Sequence, residues 1–298
     1  MRRSPAEIAF RLRQEARNIA FAILPPRFRG PVPSPLARLP DPEAVAAKLC
    51  ETGFAATVQH LADEIMAHRF PIFGGIVETG PDIDWRRDYP NEVGSSLKYF
   101  RRVPYLDATR VGDHKNIWEL NRHQQLVLLA QAFLITGREH YLREIDTQLE
   151  SWWMQNPFQQ GINWTSALEV AFRAHSWIWV HHLAGASLKT GQRLLESLYQ
   201  HGLYLENNLS VYFSPNTHLL GEAVVLHALG ALFPIFPRSK HWIALGGKTI
   251  TEQMDRQVRN DGSHFEQSTY YQVYALDMFL FHAILQPQPD AYLKKLAA

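Results

Sequence analysis

Four short segments hold the residue types that proton transfer and acid recognition need, and each falls where a helix is expected to begin. They are Trp118-Glu119-Leu120-Asn121-Arg122-His123; Asn163-Trp164-Thr165-Ser166 followed by Glu169, Arg173 and Trp177; Ser214-Pro215-Asn216-Thr217-His218 with Glu222 one turn on; and Asp261 to Tyr271, which includes His264, Glu266, Tyr270 and Tyr271. Asn and Arg can hold a carboxylate, while His and Tyr can pass a proton to or from a reacting group. Paired glutamates among Glu119, Glu169, Glu222 and Glu266 could instead act as the acid and base of a glycoside hydrolase. Glu169 and Arg173, four residues apart, are expected to pair on one helix face. Helix caps and turns use the same residue types: Ser214 or Asn216 can be an N-cap, and Asp261-Gly262 a turn. Four such starts exceed what capping requires, and aromatics beside hydrogen-bonding groups suit a sugar-binding cleft.

The elements that would carry these residues follow from periodicity. From Asn116 onward apolar residues recur at helical spacing, predicting helices over 117–136, 139–155, 165–188, 191–208, 216–233, 239–259 and 268–286. Short breaks between them imply antiparallel neighbours. No repeat of fixed period is present, which favours an incomplete (α/α) toroid of antiparallel helical hairpins over a solenoid. The fold class expected is therefore all-α. Residues 1–115 read as an irregular, aromatic-rich N-terminal segment and 116–298 as the helical toroid that carries the cleft. Within the first part, an Arg-rich amphipathic helix precedes seven prolines between Pro25 and Pro42, which form a linker or extended strap. Short helices follow near 42–50 and 55–68, and Phe70 to Tyr105 reads as a long turn-rich loop pinned by aromatics, a lid or wall.

Composition narrows the class. The 298 residues are 46% hydrophobic and 20% charged, which fits a packed globule rather than a disordered chain. A net charge of +1 gives no global field for nucleic acid, so a polyanion would have to be recognised locally. Cys50 is the single cysteine, and neither a metal-binding Cys cluster, an HExxH pair nor a Gly-rich phosphate loop occurs; no metal or cofactor is implied. His181-His182 read as surface or packing residues. No apolar run reaches the ~18 residues of a transmembrane helix, and Arg2, Arg3, Arg11, Arg13 and Arg17 are distributed unlike the charges of a secretion signal.

The segments WELNRHQ (118–124), GINWTSALEVAFRAHSW (161–177), SPNTHLLGEA (214–223) and DGSHFEQSTYYQ (261–272), in that order, resemble the N-terminal helical toroid of the heparinase II/III-like polysaccharide lyases of bacteria. The resemblance implies β-elimination at a uronic acid of an acidic polysaccharide, a glycosaminoglycan or alginate. It implies Asn216 as carboxylate neutraliser, His218 as neutraliser or base, and Tyr271, or Tyr270 one register away, as general acid and base. Thr217 separates an Asn and a His that are adjacent in several relatives. By the same resemblance Asn121, Arg122, His123, Asn163, Trp164, Glu169, Arg173, Glu222, His264 and Glu266 would line the cleft, Arg122 taking a substrate carboxylate or sulfate and tryptophans stacking on sugar faces. It also implies a C-terminal β-sandwich, expected to be absent from this chain and open to supply by a partner, and a periplasmic or extracellular location, cytoplasmic being the alternative. A hydrolase, or a non-catalytic polysaccharide-binding or biosynthesis accessory protein, remains open.

Overall fold

The computed structural model describes residues 3–297; Arg2 of the basic N-terminal run, with Met1 and Ala298, lies outside the described residues. The all-α expectation holds. The helices are α1 (Pro5–Ile23), α2 (Pro42–Leu49), α3 (Gly53–Met66), α4 (Ala108–Val111), α5 (His114–Asn121), α6 (Gln124–Thr136), α7 (His140–Gln155), α8 (Ala167–Ala184), α9 (Gly191–Asn208), α10 (Thr217–Leu232), α11 (Ser239–Gln257), α12 (Thr269–Leu285) and α13 (Asp290–Ala297). Contacts divide the chain into a terminal unit, Met1–Ala20 with His201–Ala298, and a central unit, Phe21–Gln200. The boundary expected at 115/116 falls inside the central unit. No helix among the described residues is long and apolar enough to cross a membrane.

Three features depart from the sequence reading. The helix expected over 117–136 is two, because His123 takes a left-handed backbone (φ 59°) between α5 and α6. The loop expected from Phe70 to Tyr105 contains two antiparallel hairpins: β1 (Arg69–Ile72) with β2 (Gly75–Glu78), and β3 (Arg87–Asp88) with β4 (Val93–Gly94). Phe73 and Gly74 both have positive φ, the two-residue turn that matches strand twist. The third is α13, unforeseen because Pro287 and Pro289 sit in its approach.

In the central unit α6 packs on α3, α7 and α8. The proline-rich strap is tied down by the two histidines of α8: His181 Nε2–H donates to Pro33 O (2.7 Å), and His182 Nδ1 accepts from Leu36 N–H (2.9 Å) while its Nε2–H donates to Pro40 O (2.9 Å). Both are packing residues. Burial holds the His181 imidazole neutral, its pKa pushed down to about 4.

In the terminal unit α10 is apolar nearly all round, and every residue of it except His218 is buried; such a helix must sit at the centre of its unit. Gly246 lets α11 close on it, since a Cβ there would lie 2.7 Å from Ala223 O. The one carboxyl in α10, Glu222, is fully buried and accepts from the Ser210 backbone N–H (2.7 Å) and hydroxyl (2.6 Å), which fastens the loop between α9 and α10. Burial pushes Glu222 up to about 8 against the opposing pull of those two bonds, so at neutral pH it is largely an uncharged acid.

These two groups give stability opposite pH slopes. For His181 the folded pKa lies below the unfolded one, so the unfolded chain binds the extra proton and stability falls as pH drops from about 6.5 to about 4. His181→Gln keeps the donor to Pro33 O and removes the titration; urea unfolding at several pH values should show a shallower acid slope, by up to about one proton. For Glu222 the folded chain holds the proton, so stability falls as pH rises from about 4.5 to about 8. Glu222→Gln, a neutral isostere, should be near wild type at pH 4.5 and gain over it by up to about 5 kcal/mol by pH 8. An unchanged pH dependence in the variant would mean that Glu222 titrates normally.

Candidate active site

The N-terminus of α10 organises the candidate residues of the terminal unit. Asn216 is its N-cap, and Asn216 Oδ1 accepts from His218 N–H at 3.2 Å. The same oxygen faces His218 Nδ1 at 3.2 Å. A carbonyl oxygen only accepts, so Nδ1 carries the hydrogen and the neutral ring keeps its lone pair on Nε2. Asn216 Nδ2 donates to Glu266 Oε1 (2.7 Å), and the Thr217 hydroxyl donates to Glu266 Oε2 (3.2 Å). Glu266, Asn216 and His218 thus form one hydrogen-bonded row.

The segment that brings Glu266 there is fixed from both sides. His264 Nε2–H donates to Gln257 Oε1 (3.0 Å), His264 Nδ1 accepts from Glu266 N–H (3.4 Å), and Phe265 N–H donates to Gln257 O (2.8 Å). His264 is buried and held neutral, burial lowering its pKa more than the nearby Glu266 raises it. Gln272, on the first turn of α12, accepts from His264 N–H and donates to Gly262 O. Tyr274 donates its hydroxyl to Thr217 O (3.2 Å), which ties the start of α12 to the start of α10. Tyr271 lies one turn before Tyr274 on α12 and is 42% exposed, with its ring against Tyr270, itself 73% exposed. Asn216 and His218 are half-buried.

Tyr274, Gln272 and Ser210 were not singled out by the sequence. The one signal for Tyr274 is its spacing of three from Tyr271. Exposed Val211, Tyr212 and Phe213, just before the cap, are further aromatic and apolar groups that the motif search passed over.

Several expected cleft residues are interior groups instead. Glu222 is sealed in α10, as described. In the central unit Asn121 donates to Trp85 O and Ile117 O and accepts from Trp152 Nε1–H, which uses both ends of its amide in the core. Asn163 donates to Trp85 O and Asn156 Oδ1. His123, fully buried among Trp85, Trp152 and Trp177, accepts from Trp177 Nε1–H at 2.9 Å, and burial, reinforced by Arg173, pushes its pKa well down. Trp164 is buried, as are Trp85, Trp152 and Trp177, so none of them offers a face to a sugar.

The Glu169–Arg173 pair expected from spacing does not form. Arg173 turns inward, donating to Asn163 O (3.0 Å) with its guanidinium 4.5 Å from the Trp152 ring centre. Glu169 instead receives a bidentate contact from Arg122, at 2.8 and 3.0 Å, and Arg122 also donates to Glu119 (2.7 Å) and stacks over Phe172. Arg122, the C-cap of α5 just before the break at His123, takes the place expected of Arg173. Burial raises the Glu119 carboxyl; Arg122 opposes that and Glu169 adds to it. Two carboxylates on one guanidinium leave the trio negative, the wrong sign for a substrate carboxylate or sulfate.

Comparison with known proteins speaks to the family and the fold. The family model described as Heparinase II/III N-terminus matches residues 37–290. A heparin-sulfate lyase of Bacteroides stercoris is 26% identical over 74% of this chain, and one of Pedobacter heparinus 29% identical over 74%. This chain spans about a third of each, 34% and 32% of their lengths. Among solved structures, the heparan sulfate lyase HepC from Pedobacter heparinus superposes with a TM-score of 0.62 at 23% identity, over 97% of this chain and 41% of that one. A heparinase III product, BT4657, gives 0.62 at 21%, over 95% and 43%. The structural likeness is one of fold, and together with the match over most of its length it means that the chain belongs to the heparinase II/III N-terminus family.

Proposed function

We propose that this chain is the helical part of a polysaccharide lyase that cleaves a uronate-containing glycosaminoglycan of the heparan sulfate type by β-elimination. The observation that supports this reading most is the junction of α10 and α12: Asn216 and His218 stand half-buried at the start of α10, and Tyr274, one turn beyond the exposed Tyr271 on α12, bonds Thr217 O there. A uronate C5 proton is weakly acidic because the adjacent carboxylate is already charged, so the carboxylate must be neutralised as the enolate-like charge develops. Asn216 has a second amide N–H beyond the one given to Glu266, and the helix N-terminus adds partial positive charge. His218 Nε2 takes the C5 proton, a C4=C5 double bond forms, the C4–O4 bond breaks, and the Tyr271 phenol protonates the departing oxygen. A polymer substrate of this kind suits a site of action outside the cytoplasm.

The hydrolase reading has less behind it. Glu222 is sealed from substrate, Glu119 and Glu169 are both held on Arg122, and Glu266 is engaged with Asn216 and Thr217. Incubation with heparan sulfate or alginate separates the cases: elimination creates an unsaturated uronate that absorbs at the ultraviolet edge, whereas hydrolysis creates reducing ends alone. Tyr271→Phe should lower the absorbance rate at least about a hundredfold while oligosaccharide binding stays within a few-fold. Binding by wild type with no product of either kind would favour the accessory-protein reading, and full turnover by a Tyr270→Phe, Tyr271→Phe double variant would remove the tyrosine assignment.

A further inference from the structure

Glu266 presents a carboxylate beside a site read as binding a polyanion, which is the wrong charge for a contact with substrate. Its two oxygens are instead directed at the helix cap, one to the Asn216 amide at 2.7 Å and one to the Thr217 hydroxyl at 3.2 Å. We propose that Glu266 is a positioning residue that locks the Asn216 amide in one orientation and, through it, holds His218 as the Nδ1–H tautomer with its basic lone pair on Nε2. The inference rests on the lyase reading for its catalytic consequence, though not for its structural content.

The argument is one of donors and acceptors. In the observed orientation Asn216 Oδ1 meets two hydrogens, from His218 N–H and His218 Nδ1–H, and Nδ2 meets an acceptor that cannot donate when ionised. Flipping the amide would set Oδ1 against the Glu266 carboxylate and an N–H against the helix N–H. It would also turn His218 Nδ1 into an acceptor, move the ring hydrogen to Nε2 and remove the base. The helix N–H alone resists the flip weakly, because a frayed first turn can bond water. Glu266 adds a second constraint from another segment, and that segment is rigid: Glu266 N–H donates to His264 Nδ1, whose ring is in turn bonded to Gln257 on α11.

The test joins a spectroscopic and a kinetic readout on the same protein. Nitrogen-15 spectra of the His218 ring should show Nδ1 protonated in the wild type and a mixture of tautomers in Glu266→Ala. With uronate polymer, Glu266→Ala should lose about 10- to 100-fold in kcat with KM within about threefold, as for a misplaced rather than missing group. Glu266→Gln keeps a carbonyl for the Asn216 N–H, and Thr217 can reverse its hydroxyl; it should retain the wild-type tautomer and kcat to within about fivefold. A residue that only stabilised the fold would lower the unfolding temperature without moving the tautomer. Wild-type His218 protonated on Nε2, or a folded Glu266→Ala with unchanged tautomer and kcat, overturns the inference while leaving the lyase reading intact. A wild type that eliminates no uronate defeats that reading, and the ring spectra still decide the role of Glu266.

Discussion

A primary amide has one accepting end and one donating end, and at Asn216 each end is committed in a fixed direction. The oxygen caps α10 and meets the His218 ring; the nitrogen meets Glu266. This depends on how α10 is packed. It is apolar on every side, buried throughout except at His218, and approached closely by α11 at Gly246. The loop leading into it is held by Ser210 on Glu222, and the helix opposite it by Tyr274 on Thr217 O. The exposed chemistry at the helix start therefore inherits its precision from an interior that carries none of that chemistry.

The central unit uses the same vocabulary for a different end. Asn121 and Asn163 both donate to Trp85 O, Trp152 donates to Asn121, Trp177 donates to His123, and Arg173 lies over the Trp152 ring, all inside the core, where His123 Nε2 and Asn163 Oδ1 are left without a hydrogen bond. Removing one partner from such a lattice strands a buried donor or acceptor, at about 1–3 kcal/mol each, so these contacts hold the core together.

Which helices form was legible because their apolar period is long and regular, and the start of α10 was legible because Ser214-Pro215-Asn216 breaks the helical pattern and offers a favoured N-cap. What one sequence could not reveal is the direction in which a polar side chain faces, since Asn, His, Arg and Trp satisfy a buried lattice as well as a cleft. Arg122 and Arg173 illustrate it. Spacing allowed Arg173 to pair with Glu169, but Glu169 pairs with Arg122, 47 residues away in the chain, and Arg173 turns to the Trp152 ring. At Phe73-Gly74 the glycines marked a turn, but not a hairpin, because phenylalanine rarely takes the positive φ that this two-residue turn demands of it.

If the proposed lyase reading holds, a carboxylate next to the uronate looks like a defect on electrostatic grounds, yet it follows from what elimination needs. An amide that donates one N–H to Glu266 is a weaker donor through the other, and the negative charge opposes substrate in the ground state. Neither effect harms the chemical step if the transition state gains more than the ground state loses. As the C5 proton leaves, negative charge on the substrate carboxylate increases, and a donor already fixed in place responds to that increase without reorganising. A freely rotating Asn would bind the ground state as readily but would have to be oriented during the reaction. Glu266 on this reading trades affinity for orientation, and the trade is favourable only where charge grows along the reaction path, as it does in elimination beside a carboxylate.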